Sequence, residues 1–299
     1  MTITRVTQNM MATRSLEQLN TGLARLSRLQ EQVSSGRAIN RPSDNPADTT
    51  TAMRLRSQLS EAAQHKRNAE DGQGWLAQVD TVLQSMITRT RSAREIGVQA
   101  ANPGAVSPSS RQVLAADIEQ IRDSLITLAN TRHQDRPVMG GVTAGSIAFE
   151  KVGTEVVYRG VPGEVTRTIA EGQTVRVDLD ARATLGPEGA TLFDNLTAMA
   201  EAVRTGDTAG LRTSLDAVAG DLDRLGVAVI DVGNRTVALD RAVEAADERE
   251  FALTKSLTGV ENVDLTKAVM ELKTQEMAYQ AALSATSRVM QPSLMDFLR

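Results

Sequence analysis

The sequence lacks cysteine and has very few aromatic residues. Its 299 residues include no Cys, one Trp, two Tyr and four Phe. Without cysteine, disulfides and thiolate chemistry are excluded. A compact enzyme of this size normally fills its core with more rings, because each ring buries a large area. The abundance of Ala, Leu and Val therefore favours long, thin helical layers over a compact catalytic domain.

Long apolar runs and strongly basic patches are also missing. No run of about 20 apolar residues occurs, so the sequence predicts no transmembrane helix. The N-terminus lacks the apolar core and the cleavage site of a secretory signal peptide. The net charge is −4 and no large basic patch is present, which argues against a nucleic-acid partner. We therefore expect no membrane insertion and no nucleic acid, and a chain that is cytosolic or exported without a cleavable signal.

Residues that could carry catalysis or hold a metal are sparse. His65 and His133 lie far apart in the sequence, and without cysteine they form no zinc motif. We expect both histidines to be ordinary solvated side chains. Asp178 and Asp180 alternate with apolar residues, so we interpret them as the outward face of a strand rather than as paired catalytic carboxylates. The sequence thus predicts no catalytic residues, no metal site and no cofactor.

An apolar stripe with coiled-coil spacing occurs near each end of the chain. Each stripe is too narrow to be buried by its own helix, so each needs a partner. Residues 1–45 carry six Arg against three acids, whereas residues 240–299 carry ten acids against seven basic residues, which favours pairing of the two ends. The predicted interface residues are Leu16, Leu19, Leu23, Leu26, Val33, Leu265, Val269, Leu272, Tyr279, Leu283, Met290, Leu294, Phe297 and Leu298.

The segment after the first stripe predicts a fixed linker between two helices. Its glycine has the left-handed freedom needed just past a helix end. An Asn-Pro pair then provides an N-cap and a first helical residue. The linker and cap residues are Gly36, Ile39, Asn40, Asp44, Asn45 and Pro46.

Long helices are predicted on both sides of the middle of the chain. Residues 46–101 form one candidate helix, in which Gly72 and Gly74 are candidates for a bend. Fourteen positions from 211 to 257 step by 4 and 3, and twelve of them are apolar. The exceptions are Thr236 and Glu250, and Glu250 is a candidate for a buried pair with an arginine. This pattern predicts a left-handed supercoil against another long helix.

The fold class follows from these patterns. Residues 136–190 alternate with period two between Gly and Pro turns, which is typical of a small antiparallel meander. We therefore predict a mainly α protein with a small β insert (α+β). Both ends of the chain would form a long antiparallel coiled-coil-like helical rod. The predicted domains are residues 1–43 plus 262–299 as a terminal helical layer, 44–135 plus 191–261 as the rod, and 136–190 as the inserted β domain.

Two segments resemble the signatures of the bacterial flagellin family. Residues 34–47, SSGRAINRPSDNPA, look like its N-terminal signature, and residues 263–283, VDLTKAVMELKTQEMAYQAAL, look like its C-terminal one. The first ten residues, the 291–298 ending and the short middle are similar to the branch that joins hook to filament. The resemblance covers about 100 residues at each end.

The resemblance implies a structural, non-enzymatic subunit of the bacterial flagellum at the hook–filament junction. Its terminal layer would line the axial channel. Its partners would be further copies of itself in a ring of about eleven, a neighbouring hook-associated protein, filament flagellin, and an export chaperone bound near the C-terminus. The chain would be exported unfolded through the flagellar type III apparatus and would be extracellular.

Three other functions remain open from the sequence. The chain could be filament flagellin itself, which assembly on purified hooks by this protein alone would support. It could be an enzyme or adhesin carried by the β insert. It could also be a cytosolic coiled-coil scaffold, which its presence in sheared flagella would exclude.

Overall fold

The computed structural model describes residues 8–102, 107–143 and 145–290. Of these described residues, 73% are helical. The helices are α1 (Gln8–Ser35), α2 (Pro46–Ala100), α3 (Pro108–Ala129), α4 (Ala181–Leu185), α5 (Leu192–Thr205), α6 (Thr208–Glu261) and α7 (Leu265–Met290). The strands are β1 (Arg132–His133), β2 (Arg136–Pro137), β3 (Phe149–Val152), β4 (Glu155–Tyr158), β5 (Thr166–Ala170) and β6 (Gln173–Arg176).

The predicted fold class is confirmed: the protein is mainly α with a small inserted antiparallel β region. The chain divides into two compact units. The terminal unit is drawn from residues up to Ser60 and from Glu250 onward, and the central unit is Glu61–Arg249. None of the described helices is long and apolar enough to cross a membrane.

The core of the central unit lies along one face of α6. All eleven heptad positions from 211 to 246 are buried or half-buried, and every second one is fully buried. The repeat therefore faces neighbouring helices, as its period predicts. The fully buried members of the repeat are Leu211, Val218, Leu225, Val232, Leu239 and Ala246.

α2 and α6 run antiparallel in the central unit. Gln73 Nε2 donates to Asp240 Oδ1 at 2.7 Å, near one end of the pairing. Near the other end, the backbone of Gly97 lies so close to α6 that an added Cβ would be 2.9 Å from Leu215 Cδ2. Because residue numbers rise on one helix as they fall on the other, the two directions are opposite.

Gly72 serves close packing inside α2. The helix continues through it without interruption. A Cβ at this position would lie 3.0 Å from Leu239 Cδ1 and 3.2 Å from Val177 Cγ1. Only a residue without a side chain fits there without displacing neighbours. The packing against Leu239 accounts for this glycine without a bend.

The β insert consists of three separate antiparallel hairpins, β1–β2, β3–β4 and β5–β6, rather than one continuous meander. The first hairpin turns through Gln134 and Asp135, whose φ angles are +47° and +64°. Two consecutive positive φ values are the requirement of a type I′ hairpin turn, which usually takes Asn, Asp or Gly. Asp135 meets this preference, whereas Gln134 does not.

Asn130 joins the β insert to the helices. It caps the C-terminus of α3, and its Oδ1 accepts from the backbone N–H of Ala148 and of Phe149, both at 2.8 Å. Its Nδ2 donates to the Phe149 carbonyl at 2.7 Å. The Phe149 ring packs edge-on against the buried Phe193 ring at 5.3 Å. A single amide side chain and two rings therefore fix the start of β3.

Two interpretations of polar residues were wrong. Asp178 is buried rather than on an outward strand face, because β6 ends at Arg176 and the chain then turns inward. Its carboxylate accepts from the Val165 N–H at 2.8 Å and pairs with Arg176 at 2.9 Å. Asp180 is the N-cap of α4, accepting from the N–H groups of its first turn. Both carboxylates have structural roles.

His133 is not an ordinary solvated side chain. Its ring meets the buried Trp75 ring edge-on, with 5.3 Å between centroids. Its Nε2 is buried and has no hydrogen-bond partner among the described residues. The expectation failed because the hairpin β1–β2 folds back onto α2, which hydropathy patterning along the sequence does not reveal.

Candidate assembly interface at the terminal helices

The N-terminal helix α1 ends as its glycine predicts. Gly36 has a φ of +70°, and its N–H donates to the Gln32 carbonyl at 2.9 Å. This is the left-handed residue that commonly closes a helix. The Gln32 side chain reaches forward and donates to the Ala38 carbonyl at 2.9 Å. The direction in which the chain leaves α1 is therefore fixed by two hydrogen bonds.

The linker is hydrogen-bonded to the backbone of the break between α6 and α7. The Ala38 N–H donates to the Glu261 carbonyl at 2.7 Å, and the Val263 N–H donates to the Gly36 carbonyl at 3.0 Å. Arg37 and Asn262 form an antiparallel bridge between these bonds. Two helix breaks that lie far apart in sequence therefore satisfy each other's backbone groups within the terminal unit.

The predicted cap residues start α2. Asp44 accepts from the N–H groups of Asn40 and Arg41, at 3.2 and 2.8 Å, which closes a tight turn. The Asn45 side chain accepts from the Asp48 N–H at 3.2 Å, and α2 begins at Pro46. An Asn side chain therefore caps α2, and Pro is its first residue.

A further cap was not singled out from the sequence. Asp264 Oδ1 accepts from the Lys267 N–H at 3.1 Å and so caps α7. Its sequence signal is an Asp directly before an apolar periodic run, which is a standard helix start. Both helices that follow the linked breaks therefore begin at a side-chain cap.

α1 and α7 pack against each other antiparallel. Gln275 Nε2 donates to the Gly22 carbonyl at 3.4 Å, and a Cβ on that glycine would lie 3.4 Å from the Tyr279 ring. Among the side chains of these two helices that the structure describes, the buried apolar ones are Leu29 and Ala268. The predicted pairing of the two ends is present in the structure.

This pairing leaves half of the predicted stripe uncovered. Leu16 and Leu23, one heptad apart on α1, are 51% and 49% exposed. On α7, Leu265 is 53% exposed. A two-helix pair buries only the line of side chains between its helices, so a second line stays on the surface. Half-buried members of the predicted set are Leu19, Leu26, Val33, Leu272 and Tyr279, and exposed members are Leu16, Leu23, Leu265, Val269 and Leu283.

The remaining predicted interface residues lie at the C-terminal end. Met290 is the last residue of α7. Leu294, Phe297 and Leu298 lie outside the described residues. Met270 and Met277 on α7 were missed, although they are 61% and 64% exposed. Their spacing of seven residues was the available signal, and it adds a second apolar line to this helix.

The comparisons agree with this arrangement of helices. A family model described as the bacterial flagellin N-terminal helical region matches residues 6–135. Flagellar hook-associated protein 3 of Salmonella typhimurium is 26% identical over 275 residues, which span 90% of this chain and 81% of that protein. Flagellin B of Helicobacter pylori is 34% identical over 106 residues, which span 36% of this chain and 20% of that protein.

A solved structure shares the fold. A flagellar hook-associated protein from Vibrio parahaemolyticus superposes with a TM-score of 0.68 at 21% identity, covering 73% of this chain and all of the other. The chain is therefore similar to the bacterial flagellin family, whose N-terminal helical region matches residues 6–135. It is similar to flagellar hook-associated protein 3 over 90% of its length, whereas the match to flagellin B of Helicobacter pylori spans about a third of the chain and that to flagellin A of Helicobacter felis 68%.

Proposed function

We propose that this chain is a structural, non-enzymatic subunit of the bacterial flagellum, placed at the junction between hook and filament. Two relatives that match 90% of the chain or more are flagellar hook-associated proteins. The observation that supports assembly most directly is the exposed apolar line on α1 and α7. Contiguous exposed apolar surface of this kind marks a protein–protein interface.

The proposal assigns a role to each segment. Residues 1–43 and 262–299 form the inner helical layer that lines the axial channel. Residues 44–135 and 191–261 form the helical rod domain, and residues 136–190 form the outer β domain. The two linked helix breaks, at Gly36 and at Asn262, support a joint between inner layer and rod because they lie side by side.

The proposed partners are other flagellar components. Copies of this chain assemble as a ring of about eleven subunits between a neighbouring hook-associated protein and filament flagellin. A chaperone binds the C-terminal region before export through the flagellar type III apparatus, and the mature protein is extracellular. A chain without cysteine suits this route, because it can be exported unfolded and without disulfides.

A charge on the exposed line of α1 tests the role of the terminal helices. Leu23→Asp places a carboxylate on a surface that becomes buried on assembly, where an unpaired charge is strongly unfavourable. We expect the purified variant to unfold at the same denaturant concentration as the wild type. Cells that carry it in place of the wild-type chain should lose their filaments and should not swim.

Ala24→Asp is the matched control, because Ala24 is exposed and lies about 100° around α1 from Leu23. Its carriers should build normal filaments. Normal filaments with Leu23→Asp would show that the exposed line is not an assembly surface. Filaments grown on purified hooks from this chain alone would assign it as filament flagellin instead.

A further inference from the structure

Phe251 is an exposed ring in a chain that has few rings. It lies on α6 within the terminal unit and is 74% exposed. By contrast, Phe149 and Phe193 are buried in the central unit. Each large ring buries much apolar area and rings dominate the energetics of interfaces, so a ring exposed to solvent on a regular helix is a candidate anchor for a partner.

The helix around Phe251 is acidic. Residues 244–255 contain Glu244, Asp247, Glu248 and Glu250 against two basic residues, a net charge of −2. On a helix, residues three and four positions apart are surface neighbours. Asp247 pairs with Lys66 of α2 at 2.6 Å, so the stretch together with this lysine has a net charge of −1. Phe251 therefore lies on a weakly acidic stretch of α6.

A cleft lined by arginines and apolar residues lies at the linker in the same unit. Its volume is about 180 Å³, and it is lined by residues of the linker, of the first turns of α2 and by Glu261. Its lining includes Arg37, Arg41 and Arg56. Arg56 pairs with Glu261 at 2.8 Å and Arg41 pairs with Glu31 at 3.5 Å, so the three arginines and these two carboxylates carry a net charge of +1. We call this the arginine cleft.

The arginine cleft also offers apolar surface. Ile39 and Ala52 line it, together with Met53, which is 66% exposed. A cavity of about 150 Å³ accepts a benzene ring, so a cleft of this volume accommodates a phenyl side chain. Size, apolar lining and sign of charge all complement Phe251 and the acidic stretch around it.

Phe251 cannot reach the cleft of its own chain. It lies ten residues before Glu261 on one continuous helix, and that spacing corresponds to a separation of about 15 Å along the axis. A ring that is held at that distance can fill the cleft of another molecule only. Contacts between two different patches of identical chains are heterologous, and they generate rings or helical arrays rather than closed pairs.

We propose that Phe251 of one copy docks into the arginine cleft of a second copy. The arginines face the acidic stretch around Phe251, and the phenyl ring covers Ile39, Ala52 and Met53. The inference deepens the proposed function, because it specifies the surfaces through which neighbouring subunits meet. Phe251 and Met53 then become buried only in the assembly, which accounts for their exposure in the single chain.

Single cysteines test this contact, because the natural chain contains none and background linking is absent. Full-length Met53→Cys and Phe251→Cys chains are mixed and treated with a short bismaleimide. We expect covalent dimers between the two variants, at a yield about tenfold above that of the control pair. The control pair is Met53→Cys with Ala252→Cys, whose cysteine is also exposed but points about 100° away around α6.

Two further arms make the result specific. The double variant Met53→Cys/Phe251→Cys should form ladders of linked chains, as heterologous contacts require. Adding Arg37→Glu to the Met53→Cys chain should reduce its linking to Phe251→Cys, as should high salt, since both weaken the attraction between the charged surfaces. Unfolding followed by circular dichroism verifies that every variant retains its fold.

Three results would overturn the inference: equal linking of the Phe251→Cys and Ala252→Cys chains to Met53→Cys, predominant linking of Phe251→Cys to itself, or no linking. Linking of Met53→Cys only to cysteine-substituted filament flagellin would show that the cleft serves a different protein. The proposed function has a separate readout in the swimming of cells that carry the wild-type chain. Loss of linking in a chain that restores swimming therefore contradicts this contact alone.

Discussion

The terminal and central units are built from the same kind of helix but differ in what they bury. The central unit has a continuous core that includes Trp75, Leu83 and Phe193. In the described part of the terminal unit, the buried apolar residues are only Leu29, Ala52 and Ala268. Heptad spacing is present in both units. The spacing therefore predicts that a helix will pair, but not how much of its stripe the pair will cover.

The difference arises from the number of layers that each unit contains. In the central unit, the stripe of α6 packs within a core to which α2, α3, α5 and the β insert also contribute. In the terminal unit, α1 packs against α7, and a pair of helices buries only one line of side chains. A unit of this kind needs further copies or other partners before its apolar surface is removed from water.

The largest expected effect is the contrast between two leucines. Leu83 is fully buried in the central unit, and Leu83→Ala should lower the free energy of unfolding by about 2–5 kcal/mol, through lost apolar burial and the cavity that remains. Leu23→Ala, in the terminal unit, should lower it by less than about 0.5 kcal/mol, because that side chain is already half in solvent. Urea unfolding of the purified variants measures both values. Equal losses would mean that the terminal unit has a core of its own.

Two glycines sharpen the comparison between packed and open helix surface. Gly72→Val should destabilise the protein by about 1–3 kcal/mol, because the new methyl groups meet Leu239 and Val177. Gly226→Ala is the matched control, since no atom lies within 4 Å of the added Cβ. It should stabilise the protein by up to about 1 kcal/mol through higher helix propensity. Thermal unfolding compares the two, and a stabilising Gly72→Val would refute the close packing of α2 on α6.

Acid should weaken one connection in the central unit. Burial alone would raise the pKa of Asp71, but hydrogen bonds from Arg167 and Gln134 outweigh it and hold that pKa below its ordinary value of 3.8. A lowered pKa stabilises the folded state above pH 3.8, and this contribution is lost as the pH falls through the folded-state value. Asp71→Asn should therefore cost about 1 kcal/mol at pH 7.

The difference between Asp71→Asn and the wild type should disappear as the solution is acidified below pH 3.8. Chemical unfolding at a series of pH values measures it. A cost that is independent of pH would mean that the carboxylate charge does not contribute to the connection between α2 and the β insert.

The smallest effect is expected in the strained hairpin. Asp135 has a φ of +64°, a conformation that glycine adopts without steric cost. Asp135→Gly should stabilise the protein by about 0.5–1 kcal/mol, and thermal unfolding detects the shift. As a control, Lys151→Gly in β3, where φ is ordinary, should destabilise it instead. A destabilising Asp135→Gly would show that the ion pair of Asp135 with Arg132 outweighs the backbone strain.

Much of the architecture was predictable from local signals. The cap at Asn45 and the glycine at Gly36 depend on residues a few positions apart, so the sequence specifies them directly. The α6 repeat was equally clear. The family signatures followed from short contiguous segments.

Features set by distant contacts were not predictable. The burial of Asp178 depends on Val165 and Arg235, which approach it only in the folded chain. The packing of His133 on Trp75 and the close approach at Gly72 have the same origin. At the candidate interface, the stripe residues could be named from their spacing. Which of them remain exposed depends on how many layers surround them, and spacing carries no such information.

Amide hydrogen exchange of the full-length free protein tests the central claim most directly. If the terminal unit lacks a core, amides in α1 and α7 should exchange at least about 100-fold faster than those in the middle of α2 and α6, a difference of roughly 3 kcal/mol in local opening free energy. Assembly onto hooks should then slow exchange in α1 and α7. Equal protection of all four helices in the free protein would contradict the account.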